Sequence, residues 1–339
     1  MTTTTRLTAA PAVAAPILHA RVPQRRLFTW PLLAGLGGTC ILVALSLGVG
    51  VYDILGADDG WEMFFITRVP RTIGLVLSGA AMAMAGLVMQ RITQNRFVEP
   101  TTTGTTEWAG LGLLLTMLVW PESSVLTRMI GAIIAAMIGT AIFFGFLRQV
   151  AIRSSLIVPI VGMMFGAVVG AITTYVALAS NALQSLTVWF QGSFATVLKG
   201  QYEPLYLTAA VVVIIFIAAD RFTVAGLGEE MATSVGLNYR NVVMLGTLLI
   251  AVVSGVVTVV VGNLPFIGLI VPNLISMFRG DDLRSNLPWV CLTGVALVTV
   301  CDLIGRVIIA PFEVPVSFIL AVVGAVVFIA MILRQRRRV

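Results

Sequence analysis

An all-α polytopic membrane protein of about ten transmembrane helices is what this sequence predicts, and three observations carry that expectation. The hydrophobic fraction is 58%, the mean hydropathy is +1.02 and only 11% of residues are charged, against roughly a quarter charged in a soluble domain. Apolar runs of about 15–25 residues alternate with short polar turns, and unpaired backbone groups are too costly in lipid for such runs to be anything but helices. The basic residues also sort by topology. With the N-terminus on the inner side, the outer segments hold only Arg68, Arg71, Arg128, Lys199 and Arg306 of the 21 basic residues, so the positive-inside rule puts both termini in the cytoplasm.

The same composition excludes several classes of function. A net charge of +6 and a pI near 9.8 would suit a nucleic-acid binder, but the cations follow membrane topology and form no surface stripe, so no nucleic-acid partner is expected. Cys40, Cys291 and Cys301 lie in apolar runs without CxxC spacing, and the only histidine, His19, is in the N-terminal tail. Neither a Cys/His metal site nor catalysis by a buried histidine is expected. Lys199 is the sole lysine and precedes Gly200-Gln201, which leaves no GxxxxGK[ST] phosphate loop. Any ATP hydrolysis therefore belongs to a partner.

Taken in order, residues 1–29 are rich in Thr, Ala, Pro and Arg, lack an apolar run, and read as a disordered cytoplasmic tail. Residues 30–333 form one transmembrane domain, followed by a basic cytoplasmic end over 334–339. The first span covers about 30–52 and is kept as a helix because no small-residue cleavage site follows it; the acidic segment 53–62 lies outside. The second, about 72–90, contains Gly74, Ser78, Gly79, Ala83 and Gly86. Small residues permit close helix contacts in a bilayer, so this span is predicted to be central. An inner loop, RITQNRFVEPTTTG, leads to spans at about 105–120, 128–147 and 156–180, with Arg148 and Arg153 in an inner turn. Glu107 is expected to satisfy first-turn backbone donors. Met163, Met164 and Phe165 suit either packing or a pathway. The aromatics of LTVWFQGSF suit an interfacial helix before a sixth span at about 204–219.

The polar stretch 220–241, DRFTVAGLGEEMATSVGLNYRN, is a candidate contact for another subunit. Gly226 and Gly228 break the preceding helix, Glu229 and Glu230 occupy a first turn where carboxylates suit the dipole, and Gly236 stops the new helix. Its exposed side is expected to present Met231, Ala232 and Ser234. A seventh span follows at about 241–262. The next segment, 266–278, is short and carries Pro272 and Asn273, as a half-inserted helix would. Spans at about 288–303 and 316–333 complete the chain. Asp302 and Arg306 stand four apart, which predicts a local ion pair at the outer edge.

Several motifs in order, RVPRTIGLVLSGAAMAMAGLVMQ, QRITQNRFVEPTTTGT, GLGEEMATSVGL, LPFIGLIVPNLISMFRGDDLR and CDLIGRVIIAPFEVPVSFILAVVGAVVF, resemble the iron-siderophore permease family of ABC importers. The family's NPLADP-like loop is here Asn95-Arg96-Phe97-Val98-Glu99-Pro100, and its VPH triplet is Val271-Pro272-Asn273. Both departures resemble the branch handling catecholate-type siderophores. The resemblance implies a type II importer permease fold in a bacterial cell membrane, a second permease subunit in a homo- or heterodimer, two cytoplasmic ATP-binding subunits that hold ATP and magnesium, and an extracytoplasmic siderophore-binding protein. It implies no cofactor in this chain. Glu230-Met231-Ala232 followed by Gly236 resembles the EAA-xxx-G signature for ATPase engagement, so Glu229, Glu230, Ala232 and Gly236 are the expected coupling residues. Arg68, Arg71 and Arg306 are carried over as an outer pocket for carboxylates of the binding protein, a role that planar guanidiniums suit.

The expected function is thus translocation of iron(III)-siderophore complexes, powered by ATP hydrolysis in a partner, with no bond-making chemistry here. Haem or corrinoid chelates are alternative cargoes. A proton-coupled secondary transporter using Glu107 or Asp302 is the rival from another class. A membrane enzyme is disfavoured because no nucleophile, base and orienter converge on one face.

Overall fold

The computed structural model describes residues 30–50, 59–150 and 157–336. The tail 1–29, most of the acidic outer segment 53–62, Arg153 and the last three residues of the basic C-terminus lie outside them. In chain order the α-helices are α1 (Trp30–Gly48), α2 (Gly60–Met63), α3 (Val69–Ile92), α4 (Thr105–Val119), α5 (Val125–Val150), α6 (Ile157–Ala179) and α7 (Leu183–Phe190). They continue as α8 (Tyr206–Ile217), α9 (Ala219–Ala225), α10 (Glu229–Ser234), α11 (Tyr239–Val260), α12 (Ile267–Arg279), α13 (Leu283–Val307) and α14 (Val316–Arg336). Among the described residues, six helical stretches are long and apolar enough to cross a membrane. A further pair, α8 and α9, is bent by 64°, and Thr105–Val119, Ile267–Arg279 and Val316–Met331 are shorter apolar helices. Together these account for every span expected from the sequence.

Two boundaries differ, each for a local reason. The second span is not confined to 72–90: a π-helical turn, Phe64–Arg68, joins α2 to α3, so the helix runs unbroken from Gly60 to Ile92. Pro70, which has no N–H to donate, follows directly on the π-helical turn, where the regular helical ladder is already broken. Likewise α13 begins at Leu283 rather than at Pro288, which lies early in the helix. The segment around Pro272 is the short helix expected there, α12, and its first residues are buried inside the protein.

The predicted centrality of the second span holds. Nearly every residue of α3 from Leu75 onward is buried, and its small residues are the reason. A Cβ on Gly86 would lie 2.1 Å from the Gly268 Cα of α12, and one on Gly79 would lie 2.9 Å from the Gly294 carbonyl of α13. Backbones approach this closely only where side chains vanish, and in a bilayer such packing is what holds helices together. The aromatic stretch after α7 does more than mark an interface. Phe194 is fully buried and packs over Gly74, while the Phe190 ring covers Gly110 of α4.

The link between α3 and α4 turns back into the protein. Val98, Glu99, Pro100 and Thr103 are buried, and irregular backbone at such a depth requires internal partners. Thr103 Oγ1 supplies one, donating to the carbonyls of Glu99 (3.2 Å) and Pro100 (3.1 Å). The hydroxyls of Thr105 and Thr140, 2.9 Å apart, tie α4 to α5 immediately beyond.

Candidate functional site

Two places carry the expected site residues, one on each side of the frame formed by α3 and α13. At the first, Gly226 ends α9 and Gly228, at φ +105°, opens α10. Glu229 and Glu230 fall in the first turn of α10, as the sequence predicts. The Thr233 hydroxyl bonds back to the Glu229 carbonyl, and the Ser234 hydroxyl to that of Met231. Gly236 adopts φ +82° and its N–H bonds to the Thr233 carbonyl, so the helix ends in a left-handed stop that glycine adopts without strain.

One detail corrects the sequence reading. Ala232 is fully buried and faces the body of the protein, not a partner. The smallest side chain is the one that lets this short helix lie close to the bundle. The exposed side is larger and more apolar than expected: Met231 is 57% exposed, and Leu227 and Val235 flank it in the open. A large apolar side chain beside two carboxylates on an unshielded turn is a surface suited to a protein partner.

The second place, an arginine cluster, is built where α1 ends. Arg68 Nη1 donates to the carbonyls of Leu47 (3.0 Å) and Gly48 (2.9 Å), and Arg306 Nη1 donates to those of Ser46 (2.8 Å) and Val49 (2.9 Å). Two guanidiniums thus satisfy the orphan carbonyls at one helix C-terminus, the end where a positive charge is favoured. The predicted Asp302–Arg306 ion pair is present. Asp302 is fully buried and also receives Arg71 Nη2 at 2.8 Å; Arg71 in turn holds Glu313, with Nη2 2.9 Å from Oε2. Arg306 itself is only 5% exposed. It does not stand open as a carboxylate acceptor in this conformation, because its charge is already committed to Asp302 and the end of α1. Arg71, whose side chain is 14% exposed beside the 29% exposed Glu313, reaches the surface.

Arg128, also expected on the outer side, packs over Trp189 at 5.7 Å and bonds Ser123 and the Pro121 carbonyl. Glu107 lies in the first turn of α4 as expected, but its Oε2 is buried without a hydrogen-bond partner among the described residues. Met163 and Met164 are exposed on α6, while Phe165 turns inward onto Trp108. Three residues have contacts that the sequence reading did not assign: Gln90, Glu99 and Asn273. All three bond across to main-chain groups far away in sequence, and the only local signal was the irregular VEPTTTG and VPN context in which Glu99 and Asn273 sit.

The described residues form a multi-helical bundle with an exposed, glycine-ended helix at one place and a guanidinium–carboxylate cluster at another, and the proteins this chain is similar to are transport permeases. The chain belongs to the FecCD transport family, whose model matches residues 33–334. It is 60% identical over 93% of its length to the petrobactin import system permease protein FatD of Bacillus anthracis, covering 94% of that protein. It is 38% identical to the petrobactin import system permease protein YclN of Bacillus subtilis, over 87% of this chain and 96% of that one. Identity to the ferric-anguibactin transport system permease protein FatD of Vibrio anguillarum is 37%, over 82% and 88% respectively. Among solved structures, the fold matches a metal-chelate type ABC transporter in an inward-facing conformation, with a TM-score of 0.77 over 90% of this chain and 99% of that one. At 23% identity that likeness speaks to the fold alone.

Proposed function

We propose that this chain is the membrane-spanning permease subunit of an ABC importer that carries iron(III)-siderophore complexes, of the petrobactin and anguibactin kind, into a bacterial cytoplasm. The observation that carries the ATP-driven reading is α10: a short, acid-led helix ended by a left-handed glycine, with Met231 and Val235 left exposed by the described residues. The cargo class rests on the identity to the petrobactin and anguibactin permeases. In this reading two partner subunits bind ATP and magnesium, a second permease completes the path, and an extracytoplasmic protein delivers the chelate. Both termini lie in the cytoplasm, as the distribution of arginines favours. The partner's ATP cycle moves α10, and differential contacts in two states of the helices alternate access.

The test is uptake of radiolabelled iron-petrobactin into vesicles holding the purified assembly. Uptake is expected to require ATP and to stop when the partner ATPase is inactivated. Uptake that persists without ATP and collapses with an uncoupler would instead support proton coupling.

Two further outcomes are expected. Reversing Glu229 and Glu230 together to Lys opposes the N-terminal dipole of α10 and should reduce co-purification of the ATPase. Gly236→Val should act the same way through backbone strain, since a Cβ there meets nothing within 4 Å among the described residues and the left-handed backbone costs about 1–2 kcal/mol. Normal ATPase recovery in both variants would remove α10 from the coupling role. At the outer face, Arg71 is proposed to present positive charge to acidic residues of the binding protein, while Arg68 and Arg306 hold the end of α1 beside it. Arg71→Glu should slow association with the binding protein far more than Arg128→Glu, and the wild-type association should weaken as salt rises. A salt-independent association, unaffected by Arg71→Glu, would leave the cluster a purely internal brace.

A further inference from the structure

Glu99 is a fully buried carboxylate with no cation beside it among its hydrogen-bonding partners. Its Oε1 accepts the Phe266 N–H at 3.0 Å and the Thr101 hydroxyl at 2.5 Å, and its Oε2 accepts the Leu269 N–H at 3.0 Å. The first amides of α12, which no intrahelical carbonyl can satisfy, are therefore met by a side chain from the segment after α3. An anion is also what the positive end of a helix favours. Phe266 precedes α12 at φ +65°, a left-handed backbone that a phenylalanine adopts only when its surroundings impose it.

The same segment is tied to α12 at other points. Asn273 Nδ2 donates to the Arg96 carbonyl at 2.6 Å, and Gln90 Nε2, from the end of α3, donates to the Gly268 carbonyl at 3.0 Å. Gly86 and Gly268 close the contact without side chains. The opposite end of this block touches the proposed coupling segment. A Cβ on Gly228 would lie 3.1 Å from Gln94 Nε2, and one on Gly226 3.2 Å from Arg91 Cδ. Between the two ends lies a cavity of about 150 Å³ bordered by Gln90, Gln94, Asn95, Arg96 and Asn273.

We infer that Glu99 is a positioning residue for transport, joining segment 93–104 to the N-terminal end of α12 so that the two shift as one body when the coupling segment shifts. The inference rests on the ATP-driven reading of this permease. Physical continuity alone does not establish coupling, so the claim lies in the two-state behaviour of a defined block, which can be tested.

Reconstituted complexes carrying Glu99→Gln, Glu99→Asp or wild-type permease are compared for ATP hydrolysis and for uptake of radiolabelled iron-petrobactin. Glu99→Gln is expected to lower uptake about tenfold while hydrolysis stays within about twofold, a coupling loss in the usual range. Glu99→Asp should restore much of the uptake, because it returns an anion to the helix end. A second arm replaces Cys40, Cys291 and Cys301 with Ala and introduces Thr101→Cys with Phe266→Cys, two sites that share one carboxylate oxygen of Glu99. Joining them with a short thiol cross-linker should leave uptake equal to that of the same variant uncross-linked. Normal uptake by Glu99→Gln, or uptake stopped by cross-linking while ATP hydrolysis continues, would overturn the inference. Failure of the ATP-driven reading is separately visible, as ATP-independent uptake by the wild type.

Discussion

Asp302→Ala is expected to destabilise the permease by about 3–5 kcal/mol, the loss typical when one member of a buried ion network is removed. Asp302 is fully buried and is shared by Arg71 of α3 and Arg306 of α13. Removing it leaves the 5% exposed Arg306 with only carbonyl and hydroxyl partners and leaves Arg71 with Glu313 alone. The charge that remains inside is the penalty, more than the attraction that is lost. Asp220→Ala is the matched control, because the Asp220–Arg284 pair joins side chains that are 68% and 62% exposed. A solvent-exposed pair of this kind contributes about 0–1 kcal/mol. Thermal unfolding in detergent should separate the two variants clearly. Equal melting temperatures would mean that the outer cluster is hydrated in solution and carries no structural weight.

Gly86→Val is the second large effect expected, and its cause is steric. The nearest atoms to a Cβ at position 86 are the Cα, carbonyl oxygen and carbonyl carbon of Gly268, at 2.1, 2.2 and 2.5 Å. None of them can rotate away, so α3 and α12 must separate, and the Gln90 and Glu99 bonds into α12 would be stretched with them. Overpacking that side chains can absorb costs about 1–3 kcal/mol, and a collision between two backbones should lie at or above the top of that range. Gly37→Ala on α1 meets nothing within 4 Å and should be neutral or slightly stabilising, since alanine favours a helix over glycine. The yield of monodisperse protein and its melting temperature give the comparison. A Gly86→Val protein as stable as wild type would show that the crossing of α3 and α12 is looser than this geometry.

Local physics was legible along the chain. The spans were found because a helix across lipid needs a long apolar run, and the α3 interface because small residues cluster where backbones meet. The Asp302–Arg306 pair could be read because residues four apart share a helical face. The boundaries of α10 followed from Gly228, Glu229, Glu230 and Gly236, whose effects are all confined to one or two turns. The bend after Ile217 and the early start of α13 could not be placed this way, because proline and glycine set what a helix end tolerates while tertiary packing decides where the end falls.

By itself, then, the sequence determined the class of fold, the order of the spans, the central place of α3 and the capped polar helix α10. Only the tertiary structure decided which charges meet. Arg71 pairs with Asp302 across 231 positions and with Glu313 across 242, and Glu99 reaches the amides of Phe266 and Leu269 across 167 and 170. It also turned Ala232 inward. Periodicity and capping act over a few residues and leave a trace in composition. A buried carboxylate instead takes whichever donors the packing of distant helices brings within about 3 Å, a distance that no spacing along the chain encodes.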